Sequence, residues 1–495
     1  MMKGFRKEVY FRYMENMRQK VFTGFIWRFM ERIGAQGVSF IVSLILARLL
    51  TPEDYGQVAL ITVFITILNT FAISGIGTAL IQKKNADNVD YSTVFYFNIL
   101  FSFLLYGILF LSAPLIGNFY RDVTLIPIIR VLGITIVVSA VNNVQQSYVS
   151  KTMQFRRFFY STLIGTVFSG IVGVFLAYNG FGTWAIVIQQ LVNQIANTVI
   201  LWVTVKWRPI KAFSLLRLKT LYSFGWKLLI SGLIDTVYNN IYSLVIGKFY
   251  DANTLGLYNK GVQFPNLIVN NINGPIQSVL LPAMSYEQNN PKRIKEMVRR
   301  AITTSTYFIF PAMIGLAAVA RPLVILILTE KWVACVPFLQ ISCITLAFYP
   351  ISTANLQAIN ALGRSDIFLK LEIIKKIVGL TLLIVGIPFG VYAMVWLKAL
   401  SSLIATFLNA FPNRRCLNYS YLEQIKDLLP SIGISIVMGI CVLGIEMLQL
   451  NVLLTIILQV VFGILIYLGL SKILNLECYR YLLDFVKKKK ATGKE

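Results

Sequence analysis

The residues in this chain best suited to chemistry are amides. Asn259, Gln263, Asn266, Asn270, Asn273 and Gln277 recur at steps of four and three along an apolar run. At about 100° per residue they fall in a stripe about 80° wide on one helix face, and Lys260 flanks it. Amides donate and accept hydrogen bonds, so they suit a water-filled cavity; in lipid they also tie helices together at roughly 0.6 kcal/mol per bond. Six along one seam exceed what packing commonly uses, and the stripe reads as the wall of a wet cavity. Pro265 and Pro275 in the same run remove backbone donors and suit a bending helix. A second polar face, Gln189, Gln190, Asn193, Gln194 and Asn197, fits a cavity wall and helix glue equally well.

Charges within apolar runs are few. Arg28, Glu31 and Arg32 share a face at three- and four-residue spacing, and Lys227 followed by Asp235 stands at the corresponding point of a later run. Two readings fit. The cations snorkel to cytoplasmic headgroups, or Arg28, Arg32, Lys227 and Lys260 line the cytoplasm-facing mouth of the cavity and hold a phosphate or an acidic sugar. Arg48, Arg130 and Arg321 lie nearer the outer ends and read as interfacial anchors, with Arg48 the best placed for an outer-side ligand contact. Asp235, the most central acid, either exchanges H⁺ or Na⁺ or pairs with a cation such as Lys227. Lys398 and Glu446 take no role in this reading. The chain has no histidine and its five cysteines show no CxxC spacing, which excludes histidine-ligated zinc, Ser-His-Asp triads and histidine proton relays. Neither a Walker A sequence nor HExxH occurs, so no cofactor or metal is implied beyond a coupling ion.

The elements that must position these residues are membrane helices. Of 495 residues 57% are hydrophobic and 14% charged, with mean hydropathy +0.69, an apolar excess that one soluble core could not bury. Apolar runs fall near 22–50, 57–81, 93–118, 126–149, 158–179, 182–205, 221–249, 256–284, 298–320, 333–360, 368–388, 390–412, 430–449 and 451–473, giving an all-α polytopic protein of about fourteen spans. The net charge of +25 alternates with these runs, so it speaks for membrane topology and anionic lipid contacts and against nucleic acid. With the N-terminus inside, most of the 46 Lys and Arg fall in cytoplasmic segments, the positive-inside pattern of a multi-pass protein with both termini cytoplasmic. Residues 1–20 are polar and basic with no small-residue cleavage site after the first apolar run, so the first segment reads as a retained span.

The second half of the chain copies the first at an offset of about 200 to 212 residues. Thr51-Pro52-Glu53-Asp54-Tyr55-Gly56 corresponds to Asp251-Ala252-Asn253-Thr254-Leu255-Gly256, and Pro114-Leu115-Ile116 to Pro322-Leu323-Val324. Pro127 with Ile134-Thr135 corresponds to Pro337 with Ile344-Thr345, Asn143-Val144-Gln145 to Asn355-Leu356-Gln357, and Phe181-Gly182 to Phe389-Gly390. An even number of spans per repeat gives both halves the same orientation and a pseudo-twofold along the membrane normal. The expected organisation is a cytoplasmic tail (1–20), a six-helix bundle (21–205), a basic linker (206–220), a second six-helix bundle (221–413), a cytoplasmic loop (414–429), two further helices (430–475) and a basic tail (476–495).

Ala47-Arg48-Leu49-Leu50 running into Thr51 to Gly56, Ser74-Gly75-Ile76-Gly77-Thr78-Ala79-Leu80-Ile81-Gln82-Lys83 and Pro114-Leu115-Ile116 resemble the Wzx-type oligosaccharide flippases of the multidrug/oligosaccharidyl-lipid/polysaccharide exporter superfamily, in particular the colanic-acid and teichuronic-acid exporter subgroup. The resemblance runs through essentially the whole chain. It implies two bundles around a cationic cavity, in the inner membrane of a bacterium, that flip undecaprenyl-pyrophosphate-linked repeat units, with polysaccharide polymerase machinery as a further partner. Two alternatives stay open: a drug/cation antiporter of the same superfamily, although spans here hold more bases than acids, and an integral-membrane glycan polymerase or ligase, although the outer loops are short.

Overall fold

A computed structural model describes residues 34–73 and 75–481 together with Thr23, Trp27, Met30 and Glu31. Regular structure among these residues is entirely helical, as the lipid environment demands: a helix satisfies its backbone polar groups within one segment. Eleven helical segments among the described residues are long and apolar enough to cross a membrane. Three further segments read as spans fall short for identifiable reasons. Helix α1 (Gly34–Leu49) is short over its described part. Helix α9 (Ala252–Tyr286) carries the amide stripe, and α14 (Ser365–Gly386) carries Lys370, Glu372, Lys375 and Lys376. Helix α9 continues through Pro265 and Pro275, the residues that suit a bending helix; in lipid, neighbouring helices and polar side chains tolerate the lost bonds.

The chain divides into two compact units, Met1–Gly256 and Leu257–Glu495. The first holds α1, α2 (Pro52–Ile73), α3 (Ile76–Gln82), α4 (Asn88–Tyr120), α5 (Leu125–Lys151), α6 (Arg156–Tyr178), α7 (Thr183–Thr204), α8 (Leu215–Phe249) and the first turn of α9. Helices α6 and α7 pair closely, α5 packs on α2, α4 and α7, and α8 packs on α2, α3 and α4. Helix α8 opens the second repeat yet belongs to this unit by packing. The basic linker before it is clamped to α4 and α5: Ile210 N–H donates to Ser92 Oγ (2.9 Å), Ser214 N–H to Thr93 Oγ1 (3.1 Å), and Gln145 Nε2 to the Trp207 carbonyl (3.2 Å). Gly75, at φ 87°, lets the turn before α3 approach α8 so closely that a Cβ there would lie 2.1 Å from the Gly225 oxygen.

The motif Thr51 to Gly56 ends α1 and starts α2. Asp54 accepts from Thr51 N–H (2.9 Å) and from Thr183 Oγ1 (2.8 Å), while Gln57 Nε2 donates to Asp122 Oδ2 and Thr124 Oγ1, both at 3.1 Å. Three loops at one end of the unit are thereby joined. The repeat-matched glycines meet at this end too. A Cβ on Gly56 would lie 1.7 Å from the Ala252 oxygen, and one on Gly256 would lie 1.8 Å from the Pro52 oxygen. Pro52 and Ala252 themselves correspond in the repeat, so the contact is reciprocal.

The second unit holds the rest of α9, α10 (Pro291–Ala318), α11 (Ala320–Leu328), α12 (Val336–Ala347), α13 (Tyr349–Ala361), α14, α15 (Val391–Ala410), α16 (Asn413–Leu417), α17 (Tyr421–Glu446) and α18 (Val452–Ile473). Where the first repeat has the continuous α5, the second is divided into α12 and α13 at Phe348, next to Pro350, which supplies no backbone donor. The appended α17 lies along α10. Arg299 pairs with Asp427 (3.0 Å) and Glu477 (3.2 Å), Lys295 pairs with Glu423 (3.3 Å), and a Ser420–Glu423 capping box starts α17. An apolar cavity of about 360 Å³ among Tyr307, Met438, Gln459 and Tyr467 is lined by α10, α17 and α18.

Candidate functional site

Helix α9 places the amide stripe in three different environments. Asn259 is half-buried, and Lys260 is only 4% exposed, its Nζ 5.8 Å from the centre of the Trp332 ring. Asn273 and Gln277, more than three turns further on, share one acceptor, Thr353 Oγ1 of α13, at 3.3 and 3.5 Å. Asn273 Oδ1 is buried with no partner among the described residues. Between these ends Gln263, Asn266 and Asn270 make no hydrogen bond to any described residue, and Asn270 is exposed. Part of the stripe thus ties helices together, and toward the described residues the central three amides keep their donors and acceptors available.

The amides of α7 are engaged to a greater extent. Asn193 Nδ2 donates to Ser169 Oγ at 3.0 Å on α6, and Gln194 Nε2 to Ser139 Oγ at 2.9 Å on α5. Asn197 Oδ1 is buried without a partner among the described residues, and Gln190, half-buried, has no hydrogen bond there. This face closes the first unit more than it opens a path.

The cations expected at the site are dispersed. Arg28 and Arg32 lie outside the described residues. Glu31, on the same helical face, accepts from Thr162 Oγ1 of α6 at 3.3 Å, and the Trp27 ring packs tilted against Phe159 at 5.4 Å. Lys227 and Asp235 are both exposed on α8, and Arg48 is exposed in the last turn of α1. No group of three or more Cys, Asp or Glu that could hold a metal occurs among the described residues.

Three polar clusters escaped the sequence reading. At the start of α4, Asp90 is fully buried and lies 2.7 Å from Lys83 Nζ and 3.3 Å from Arg217 Nη1. Arg217 also bonds Asp87, whose side chain caps α4. That hydrogen bond and the Asp90 N–H hold the Asp87 carboxyl down at about 2. In the second unit Asn355 Nδ2 donates to Gln424 Oε1 (2.8 Å), and its Oδ1 accepts from Gln424 Nε2 (3.0 Å) and Asn413 Nδ2 (2.7 Å). On α14, Lys375 Nζ lies 2.5 Å from Glu372 Oε1. The signal for this last cluster was present: three charges interrupt an apolar run well away from its ends.

The sequence and fold have counterparts among known proteins. The profile of the family described as "Polysaccharide biosynthesis protein" matches residues 45–337. The chain is 25% identical to the teichuronic acid biosynthesis protein TuaB of Bacillus subtilis over 75% of its length and 78% of that protein. It is 23% identical to the lipopolysaccharide biosynthesis protein WzxC of Escherichia coli over 87% of its length and 89% of that protein. In fold it is similar to the lipid II flippase MurJ in an inward closed conformation, with a TM-score of 0.72 at 17% identity, covering 93% of this chain and all of that one. The chain therefore belongs to the polysaccharide biosynthesis protein family, as a multi-pass helical membrane protein.

Proposed function

We propose that this protein flips an undecaprenyl-pyrophosphate-linked oligosaccharide repeat unit across the bacterial cytoplasmic membrane for assembly of a surface polysaccharide. Family membership supports the class of cargo, and the observation that carries the site is the row of open amides Gln263, Asn266 and Asn270 on α9. Such a row offers a sugar chain donors and acceptors in place of water. Arg28, Arg32, Lys227 and Lys260 supply positive charge for the pyrophosphate, Arg48 contacts the ligand on the outer side, and Gln190, Asn193 and Asn197 extend the polar wall. Asp235 is the candidate for H⁺ or Na⁺ coupling.

In this reading the chain crosses the membrane fourteen times with both termini in the cytoplasm. The eleven apolar segments are joined by α1, α9 and α14, whose length or polarity sets them apart. The two six-span repeats alternate the side to which the cationic, amide-lined path opens. The polymerase that receives the exported unit is the further partner. Vesicles holding a labelled lipid-linked oligosaccharide in one leaflet test the proposal: the protein is expected to make the label accessible from the other side. Unchanged confinement under H⁺, Na⁺ and no gradient would refute it.

A further inference from the structure

Helix α14 carries charge where a membrane helix least tolerates it. At 1.5 Å per residue, Lys375 lies about 15 Å from Ser365, near the middle of the helix and beyond the reach of a snorkelling lysine. Lys370, nearer the end and exposed, can snorkel. The exposed apolar residues Leu369, Ile373, Ile374, Ile377, Ile384 and Val385 occupy an arc of about 160° that suits lipid. Glu372, Lys375 and Lys376 occupy an arc of about 100° centred roughly 150° away from it. The charges therefore point into the protein, and they are not sealed: the Glu372 and Lys375 side chains keep 29% and 15% of their exposure.

Within the cluster Glu372 pairs with Lys375. Helices α13 and α15, which pack on α14, contain no acidic residue, and α15 adds Lys398, whose Nζ donates to Tyr258 Oη at 2.9 Å. The fold does not require this charge. Helix α6 holds the matching place in the first repeat, has no charged residue beyond Arg156 and Arg157 at its start, and packs on α7 through Ser169, Thr166 and glycines.

We propose that the α14 face of Glu372, Lys375 and Lys376 binds the anionic oxygens of the cargo, phosphate or sugar carboxylate, with Glu372 acting as an internal counter-ion that the cargo displaces from Lys375. The site rests on the flippase reading and adds α14 to it. A displaceable counter-ion keeps Lys375 paired when the path is empty, and its competition weakens the grip so that cargo can leave. Replacing it therefore has a sign that a structural ion pair does not share.

Purified full-length protein in detergent is titrated with undecaprenyl pyrophosphate, with glucuronate and with undecaprenol, following tryptophan fluorescence. Glu372→Gln is expected to tighten anion binding about threefold to tenfold, and Lys375→Met with Lys376→Met to weaken it at least tenfold, with undecaprenol unaffected. The probe that responds identifies the anion as phosphate or carboxylate. The near-isosteric Glu372→Gln keeps the test decisive should the lysine variant fail to fold. Unchanged or weaker anion binding in Glu372→Gln, or no anion binding by the wild-type protein, overturns the site. Leaflet accessibility in vesicles judges the flippase reading separately.

Discussion

The two repeats place an asparagine at the same point of their fourth spans and then use it differently. Asn143, in the first unit, receives one long hydrogen bond from Asn98 Nδ2 at 3.4 Å, and Gly77 comes close beside it. Asn355, in the second, is the hub of a buried triad with Asn413 and Gln424 that ties α13 to α16 and to the appended α17. The same contrast separates α6, held by hydroxyls and glycines, from α14 with its ion pair. Duplication preserved the positions of polar residues, whereas their partners diverged. In the second unit the inherited asparagine became the anchor for helices that the first repeat lacks.

Where the repeats still agree, they are most sensitive to change. The reciprocal contact leaves no room for a Cβ on Gly56 or Gly256, because the obstructing atoms are backbone oxygens. Gly56→Ala and Gly256→Ala are each expected to cost about 3 kcal/mol, the upper range of overpacking. Thermal unfolding in detergent, or the yield of monodisperse protein, checks this. A mild effect at one glycine and a severe one at the other would show that the contact is not equivalent on its two sides.

The divergent asparagines should separate next. Asn355→Ala strands the buried amides of Asn413 and Gln424 and is expected to destabilise by about 2–3 kcal/mol, whereas Asn143→Ala breaks one weak bond at about 0.5–1 kcal/mol. Asn355→Ala should also loosen α17, seen as faster proteolysis in the loop before Tyr421. Equal losses at the two positions would dissolve the contrast.

The sequence made the helices legible because apolar length and charge alternation are direct consequences of lipid. The repeat was legible because glycine and proline mark turns that side-chain drift does not erase: Gly182 and Gly390 both have positive φ. The fate of the amides was not legible. Helical spacing placed Asn266 and Asn273 on one stripe, but only the approach of α13, bringing Thr353 to Asn273, decides which amide is used. Packing of α8 on α2, α3 and α4 was hidden for a related reason, since it depends on partners such as Ser92, Thr93 and Gly75, which are far away in the chain.

The clamp that holds α8 responds to pH in a defined direction. Asp87 is held at about 2 by Arg217, below the ordinary carboxyl value of about 3.9. Its contribution is therefore present above that ordinary value and is lost as pH falls through about 2. The protection of amides in the first turn of α8, taken relative to their intrinsic exchange rate at each pH, should stay constant from pH 7 to about 4 and fall below that. In Arg217→Gln the Asp87 titration should move up towards 4.

The smallest stability effect is expected at the residues with the largest functional one. Gln263, Asn266 and Asn270 have no hydrogen-bond partner among the described residues, so replacing any of them by alanine removes no bond to these residues, and stability should change by no more than about 0.5 kcal/mol. Asn273→Ala on the same helix breaks a bond to Thr353 and should cost about 0.6 kcal/mol or more. If α9 carries sugar past its open amides, the triple alanine variant remains folded and loses oligosaccharide transfer in vesicles, whereas Asn273→Ala loses stability first. Full transfer by a stably folded triple variant would reduce the whole stripe to helix packing, and α9 would then differ from α7 only in how completely its amides are paired.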